Sequence, residues 1–211
     1  MPAVRYARVV GGPLKTNSYV ISAGGRGLVV DPGVEPGKLL EAVRKLGVEE
    51  VPYVLLTHGH FDHVYFAAEV SEKLGAAVLV HSADLDLMLS AGLWGAVLYR
   101  RRFRVPERVE LVRDGDVLRA GEVEARIIHT PGHTPGSVCI LAGSLLITGD
   151  TLFKGAVGAT IFPGGSRERL EESLARLASL PGDYTVLPGH GEETSLERER
   201  RSNPFLKGRG E

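Results

Sequence analysis

Six consecutive residues after a short apolar run carry three of the chain's seven histidines and one carboxylate. They run from His58 to His63 in the order His-Gly-His-Phe-Asp-His, directly after the strand-like residues 51–56. His58 and His60, separated by one residue in an extended turn, can point the same way, whereas Asp62 and His63 must aim elsewhere. Neutral imidazole and carboxylate are good ligands for divalent transition metals. The stretch therefore predicts two neighbouring metal ions rather than one.

A structural zinc site or a chance cluster is the alternative interpretation of this stretch. Structural zinc sites are usually rich in cysteine, and Cys139 is the chain's single cysteine. The combination of histidines and an aspartate after an apolar strand therefore favours a functional metal site.

The motif resembles that of the metallo-β-lactamase superfamily, and three further motifs of that family follow in order. Pro-Gly-His-Thr-Pro-Gly contains His133, Leu-Ile-Thr-Gly-Asp ends at Asp150, and Leu-Pro-Gly-His-Gly contains His190. The resemblance implies that Asp62 and Asp150 are catalytic carboxylates. It implies one metal bound by His58, His60 and His133, a second bound by Asp62, His63 and His190, and Asp150 as the bridge between them.

Strands and helices are predicted to alternate along both halves of the chain. Apolar patterns indicate strands at residues 4–10, 18–22, 27–31, 77–80, 123–128, 137–141, 144–148 and 184–187. Helices are predicted at 36–46, from the metal motif to Leu74, around 85–93, and from the N-cap Ser166 to Leu180. The alternation predicts an α/β fold. The resemblance implies one αββα sandwich over residues 1–211, with the metal site at the edge of the two sheets.

Composition limits the classes of partner and compartment. The formal net charge is −1, so no overall field favours nucleic acid or a membrane. We expect a small-molecule substrate, with a homodimer left open. No apolar run approaches the length of a membrane span, the start lacks a signal peptide's apolar segment, and a lone cysteine excludes an internal disulfide, so we expect a cytoplasmic protein. Glutamine does not occur and asparagine occurs only as Asn17 and Asn203, which is typical of thermophiles.

Two adjacent metal ions predict hydrolysis by a metal-bridging hydroxide, without a serine or cysteine nucleophile. Within the superfamily the chain is most similar to short glyoxalase II-like hydrolases, in residues 149–153 and 199–206. This resemblance implies cleavage of a thioester, as in hydroxyacylglutathione hydrolases, or of an ester. The same ligand types serve several ions, so zinc is expected first and iron or manganese are the alternatives.

Two departures from the glyoxalase II-like pattern concern the substrate. Tyr65 and Phe66 replace the usual Gly-Gly pair after the Asp-His motif and are expected to narrow or cover the site. Ala159 and Ile161 stand where relatives carry arginine and aspartate, and the chain stops before the helical extension that binds glutathione in full-length glyoxalase II. An apolar lining cannot pair a carboxylate, so we expect less polar substrates.

Two other functions stay open at this stage. A mononuclear-iron persulfide dioxygenase shares these motifs, and a non-catalytic metal-binding module is the alternative of another class. His81 and His129 are expected to be packed or supporting residues rather than ligands. The arginine-rich run from Arg100 to Arg104 is expected to be a solvated face, with an anion-binding rim as the alternative.

Overall fold

Two six-stranded sheets pack face to face in the computed structural model, which describes residues 4–207 apart from the side chains of Leu93 and Trp94. The predicted α/β architecture is confirmed. Within the first sheet β1, β2 and β3 are antiparallel, whereas β3 to β6 run parallel. Its strands, in both chain and spatial order, are β1 (Arg5–Gly11), β2 (Thr16–Ala23), β3 (Arg26–Val30), β4 (Glu50–Leu55), β5 (Ala77–His81) and β6 (Val109–Val112).

The second sheet follows along the chain and has one parallel pair. Its strands are β7 (Val117–Ala120), β8 (Val123–His129), β9 (Val138–Ala142), β10 (Leu145–Gly149), β13 (Thr185–Pro188) and β14 (Thr194–Ser195), and a small ribbon is formed by β11 (Leu152–Phe153) and β12 (Ala156–Val157). The spatial order is β14-β13-β10-β9-β8-β7. Only the β10–β13 pair in it is parallel among the described strands.

Helices cover the outer faces of both sheets. They are α1 (Pro36–Lys45), α2 (Phe61–Val64), α3 (Ala67–Leu74), α4 (Leu85–Leu89), α5 (Gly92–Tyr99), α6 (Arg167–Ala178) and α7 (Leu196–Ser202), with one 3₁₀ turn at Ser82–Asp84. The helix predicted after the metal motif is two helices, and so is the one predicted around 85–93. Ser166 caps α6 as predicted, because its hydroxyl accepts a hydrogen bond from the Arg169 amide at 3.3 Å.

Alternating side chains of the strands divide the apolar residues among three cores. Val20 on β2 packs beneath α1 and α3, whereas its neighbour Ile21 lies between the sheets. In the second sheet Ile140 faces the same inter-sheet core, and the adjacent Cys139 lies on the opposite face, under α6. The order of layers is therefore helix, sheet, sheet, helix.

Parallel pairs in each sheet bring loops from distant parts of the chain to one edge. The carboxyl ends of β3 and β4 lead to Asp31 and His58, and those of β10 and β13 lead to Asp150 and His190. An isolated bridge between Thr16 and His190 joins the two sheets at this edge. Over residues 4–207, each helix is too short or too polar to cross a bilayer.

Candidate metal centre

All seven side chains predicted as ligands converge at the shared edge of the sheets. Their potential ligand atoms form three overlapping triplets, and within each triplet the atoms lie within 4.8 Å of one another. The triplets are His58-His60-His133, His58-His63-Asp150 and Asp62-His63-His190. This is a His/Asp cluster of the metal-binding kind.

The first set is formed by three imidazoles from two loops. His58 and His60 follow β4, and His133 comes from the β8–β9 loop. Nε2 of His133 lies 2.9 Å from Nδ1 of His60. Donor atoms about 3 to 3.5 Å apart are what an ion with bonds of about 2.0–2.1 Å requires of tetrahedral ligands.

The second set combines helix α2 with the loop after β13. Nε2 of His63 lies 3.3 Å from Nε2 of His190, and Oδ2 of Asp62 lies 3.2 Å from the same His190 nitrogen. Asp62 and His63 occupy the first turn of α2, whereas His58 and His60 precede the helix. The side chains of the two pairs therefore point in different directions. The spacing of donors is again that of ligands around one ion.

Asp150 lies between the two sets. Its Oδ1 is 3.4 Å from Nε2 of His63, and its Oδ2 is 3.6 Å from Nε2 of both His133 and His190. The carboxylate therefore approaches both sets at once.

Buried partners behind the imidazoles fix their tautomers. Thr57 gives its single hydroxyl hydrogen to Asp31 at 2.6 Å, so Nδ1–H of His58 donates to the Thr57 oxygen at 3.1 Å and leaves Nε2 free of a proton. Nδ1 of His133 donates to the Ala159 carbonyl at 2.7 Å. In both side chains Nε2 is the lone-pair donor that faces the cluster.

His58 and His60 of the first set are neutral near pH 7. Complete burial and the neighbouring imidazoles of His63, His133 and His60 hold the pKa of His58 well below its usual value. Burial, together with His133 and His63, lowers the pKa of His60 to about 4. Neutral imidazole is the form that coordinates a metal.

Charges of opposite sign dominate the second set. Burial alone would lower the pKa of His63, but the carboxylates of Asp62, Asp150 and Asp31 outweigh it and raise that pKa to about 10. Burial alone would raise the pKa of Asp62, yet His63, His190 and the Thr16 hydroxyl hold it far below its usual range. Without a metal, a protonated imidazole balances the carboxylates, and a divalent ion would replace that positive charge.

Two buried polar atoms test whether the cluster fits a metal. Nε2 of His58 and Oδ1 of Asp150 have no hydrogen-bond partner among the described residues, although the second atom lies 3.4 Å from the His63 ring without hydrogen-bond geometry. Burying such atoms unpaired is costly. Both belong to the cluster, so a bound cation would satisfy them and the residues fit a metal centre.

Tyr65 and Phe66 do not cover the site, and that prediction is wrong. Both are buried in the core beneath the first sheet's helices, where Tyr65 stacks on Tyr99 with ring centroids 4.1 Å apart and donates its hydroxyl to the Arg101 carbonyl. Phe66 occupies the N-cap of α3, at the junction between α2 and α3. At this junction both rings point away from the metal loops and into the core.

Phe162 is an apolar side chain at the cluster that the sequence prediction missed, and so is Phe153, whose ring centroid lies 6.4 Å from that of His190. The Phe162 ring meets His60 and His133 edge to face, with centroid distances of 5.5 and 6.1 Å. Ile161, which was expected to line the site, is 86% exposed, and Ala159 contributes its carbonyl to His133. The one signal in the sequence is its position, because Phe162 directly follows Ile161 in the loop where substrate contacts were expected.

Histidines and arginines outside the cluster have structural partners. His81 and His129 stack with centroids 4.1 Å apart, and Nε2 of His129 donates to the Pro135 carbonyl at 2.9 Å, so neither belongs to the metal triplets. Arg101 and Arg104 are exposed and pair with Glu69 and Glu72 of α3. The arginine run is thus a solvated face.

A profile of the metallo-beta-lactamase superfamily matches residues 11–190, which is most of the chain and includes every predicted ligand. The chain belongs to the metallo-beta-lactamase superfamily. It is a metal-dependent hydrolase of that superfamily.

Three relatives within the superfamily bear on activity and metal. Hydroxyacylglutathione hydrolase GloC of Haemophilus influenzae is 34% identical over 187 residues, covering 84% of this chain and 86% of its own. TTHA1623, solved in a di-iron-bound form, has a TM-score of 0.83 and 38% identity and covers 95% of this chain and 100% of its own. ETHE1 from Myxococcus xanthus has a TM-score of 0.79 and 28% identity, and the match covers 97% of this chain and 86% of its own. A likeness to all three supports the fold and a metal centre more strongly than any one substrate.

Proposed function

We propose that this protein hydrolyses a small thioester or ester, in the manner of hydroxyacylglutathione hydrolases, with two divalent metal ions. The observation that carries the proposal is the carboxylate of Asp150, which approaches His63 on one side and His133 and His190 on the other. Zinc is the expected metal, with iron or manganese as alternatives, since imidazole and carboxylate serve each of them.

Assignment of the ligands follows the two sets. His58, His60 and His133 would hold one ion, Asp62, His63 and His190 the other, and Asp150 would bridge them. When bound, such a pair lowers the pKa of a shared water to supply a hydroxide nucleophile and polarises the scissile carbonyl.

The chain's own residues fix the ligands, and the thiol of Cys139 is not a competing nucleophile. The Thr16 hydroxyl donates to Oδ2 of Asp62 at 2.8 Å, so this carboxylate is kept ionised and aimed at His190. Cys139 is fully buried, and burial raises the pKa of its thiol to about 11, so no thiolate forms at neutral pH.

Substrate preference is assigned to an apolar acyl group. Phe162 leaves 47% of its surface exposed directly against the imidazoles of His60 and His133. Ala159 and Ile161 bring no charge to the same loop, so a polar or anionic substrate group finds no partner there. An aliphatic or aromatic acyl chain would cover Phe162 instead.

A mononuclear-iron persulfide dioxygenase is the second candidate, and the fold likeness to ETHE1 keeps it in the comparison. Because such dioxygenases share these sequence motifs, the presence of Asp62, His63 and His190 does not separate the two candidates, whereas metal content and oxygen uptake do. A non-catalytic metal-binding module is the alternative of another class, and its metal would equally satisfy the unpaired Nε2 of His58 and Oδ1 of Asp150, so turnover distinguishes it from an enzyme.

Elemental analysis together with a substrate panel tests the proposal. The purified protein should hold two divalent ions per chain and hydrolyse acyl thioesters or esters, with thiol or alcohol release followed directly. Oxygen uptake with a glutathione persulfide should not occur. One iron per chain together with persulfide-dependent oxygen uptake would establish the dioxygenase instead, and metal without either activity would support a binding module.

A further inference from the structure

Asp84 is a fully buried carboxylate close to the metal loops but outside the ligand set. It ends the 3₁₀ turn that follows β5, and its exposure is 0%. A buried ionised carboxylate is tolerated only when its oxygens are hydrogen-bonded. The identity of its donors therefore indicates what Asp84 holds in place.

Three donors surround this carboxylate, and they come from two different metal loops. Oδ2 accepts the Gly59 amide at 2.9 Å and the Thr134 hydroxyl at 2.6 Å, and Oδ1 accepts the Gly136 amide at 2.6 Å. Gly59 lies between His58 and His60, while Thr134 follows His133. One side chain thus joins the loop after β4 in the first sheet to the β8–β9 loop in the second.

Both glycines press against the same residue. A Cβ at Gly59 would lie 2.8 Å from the Asp84 carbonyl oxygen and from the Met88 amide nitrogen. A Cβ at Gly136 would lie 2.7 Å from Cβ, Cγ and N of Asp84. The two loops therefore close on Asp84 from both sides, at a distance that leaves no room for a side chain.

We propose that Asp84 is a positioning residue that sets the spacing between His58 and His60 on one loop and His133 on the other. These are the ligands of the three-histidine set, in which Nε2 of His133 lies 2.9 Å from Nδ1 of His60. The inference rests on the proposed function only in taking the cluster to bind metal.

Selectivity for one of the two sets distinguishes positioning from general stabilisation. The second set is held by other groups, since Thr16 bonds Asp62 and Asp31 bonds His63. Within residues 4–207 the hydrogen bonds of the Asp84 side chain go to the loops of the first set alone. Removing hydrogen bonds of the Asp84 carboxylate should therefore loosen the three-histidine set and leave the other set intact.

Zinc titration of the metal-free full chain, followed by calorimetry, tests this without any substrate. Asp84→Asn replaces one carboxylate oxygen by an NH₂ group. One of the three hydrogen-bond donors around Asp84 then faces another donor and loses its acceptor. In a His190→Ala background, which leaves the three-histidine set whole, Asp84→Asn should weaken zinc binding by about 10- to 100-fold. In a His60→Ala background, which leaves the other set whole, the same change should alter the Kd by no more than about twofold.

Glu199 provides a matched control. It is also 0% exposed, and it accepts hydrogen bonds from the Gly155 amide at 2.8 Å, the Thr194 hydroxyl at 2.7 Å and the Asn203 amide group at 2.9 Å. Glu199→Gln should destabilise the fold yet leave the zinc Kd unchanged in both backgrounds. Equal zinc weakening by Glu199→Gln, equal weakening by Asp84→Asn in both backgrounds, or none, would each overturn the inference.

A milder pair of variants covers the case in which Asp84→Asn does not fold. Thr134→Val removes one donor to Asp84, and Thr134→Ser keeps it. The valine variant should bind zinc at the three-histidine set more weakly than the serine variant by at least about tenfold, and equal Kd values would overturn the inference. Two bound zinc ions without thioester hydrolysis would overturn the proposed function alone, because the metal titration does not depend on turnover.

Discussion

Oδ2 of Asp31 lies 2.9 Å from Nδ1 of His63, and both side chains are buried. The same carboxylate accepts the Thr57 amide at 2.7 Å and the Thr57 hydroxyl at 2.6 Å. Because it only accepts, it holds the proton of His63 on Nδ1 and leaves Nε2 to the metal cluster. Asp31 is not among the seven predicted ligands, and its contacts give it the task of orienting the ring of His63.

Asp31→Asn should weaken zinc binding at the Asp62-His63-His190 set by about 10- to 100-fold. Asparagine fits the backbone, since Asp31 has a φ of 50° and asparagine tolerates this region. It fails electrostatically, because its NH₂ group must face one of the donors. Calorimetry on the metal-free chain measures the loss. Asp114→Asn is the control. The Asp114 carboxylate accepts a hydrogen bond from the His129 amide and pairs with Arg176, so this substitution should leave the zinc Kd unchanged.

Asp150→Ala should leave the fold intact, reduce the metal content below two ions per chain and lower kcat/KM by more than about 100-fold. The reason is that this carboxylate alone approaches both ligand sets among the described residues. Plasma emission spectroscopy and thioester kinetics measure the two effects. Asp183→Ala removes a carboxylate that accepts two surface amides, from Tyr184 and Glu197, and should change neither. A variant with two metals and normal turnover would refute the bridge.

Zinc affinity of the metal-free protein should rise about tenfold for each pH unit between pH 6 and pH 9. The carboxylates around His63 raise its pKa to about 10, so over this range the imidazole carries a proton that the metal must displace. Affinity is therefore lost as pH falls and stops gaining from this group above about pH 10. Competition with a chelator of known pH dependence gives the slope. A flat response would mean that His63 is already neutral without metal.

The convergence of the seven predicted ligands was predictable because each motif combines a strand end with a distinctive residue order. A run such as residues 51–56 predicts a strand whatever surrounds it, and histidines directly after it must lie at the sheet edge. Parallel pairing then brings Asp31 and His58 to one edge of the first sheet, and Asp150 and His190 to one edge of the second. Local pattern and global fold agree at these positions.

Side chains whose direction depends on packing were not predictable. Tyr65 follows the ligand His63 closely, yet it belongs to the core because it stacks on Tyr99, 34 residues later. Asp84 is one of two aspartates within residues 82–86, and its role depends on two loops that meet only in the folded chain. No spacing in the sequence encodes these meetings.

The stability of the protein should fall between about pH 9 and pH 11 through the thiol of Cys139. Burial raises the pKa of this thiol from 9.0 to about 11, so the unfolded chain loses the proton first. The stability contributed by the protonated thiol is fully present below pH 9 and is lost as the pH rises towards 11. The free energy of unfolding falls by on the order of 2 kcal/mol over this range. Urea unfolding of Cys139→Ala across this range should show a shallower pH slope. Identical slopes would show that the thiol titrates alike in both states.

Phe162→Ala should reduce kcat/KM for an apolar acyl thioester by about tenfold. This estimate assumes that the substrate loses roughly 50 Å² of apolar contact, at about 25 cal/mol per Å². The physical reason is the position of the ring against His60 and His133, with 47% of its surface available to a substrate. S-lactoylglutathione, which is more polar, should be a poorer substrate of the wild-type protein and should lose less in the variant.

Phe205→Ala is the matched control for this last prediction. Phe205 is 46% exposed and follows α7, where it lines a cavity against Leu170 and Leu174 of α6. Its removal takes away a similar apolar area without touching a ring of the metal cluster, so both substrates should keep their wild-type kcat/KM. If S-lactoylglutathione is preferred by a wide margin, or if both phenylalanine variants lose the same activity, Phe162 does not select the acyl group.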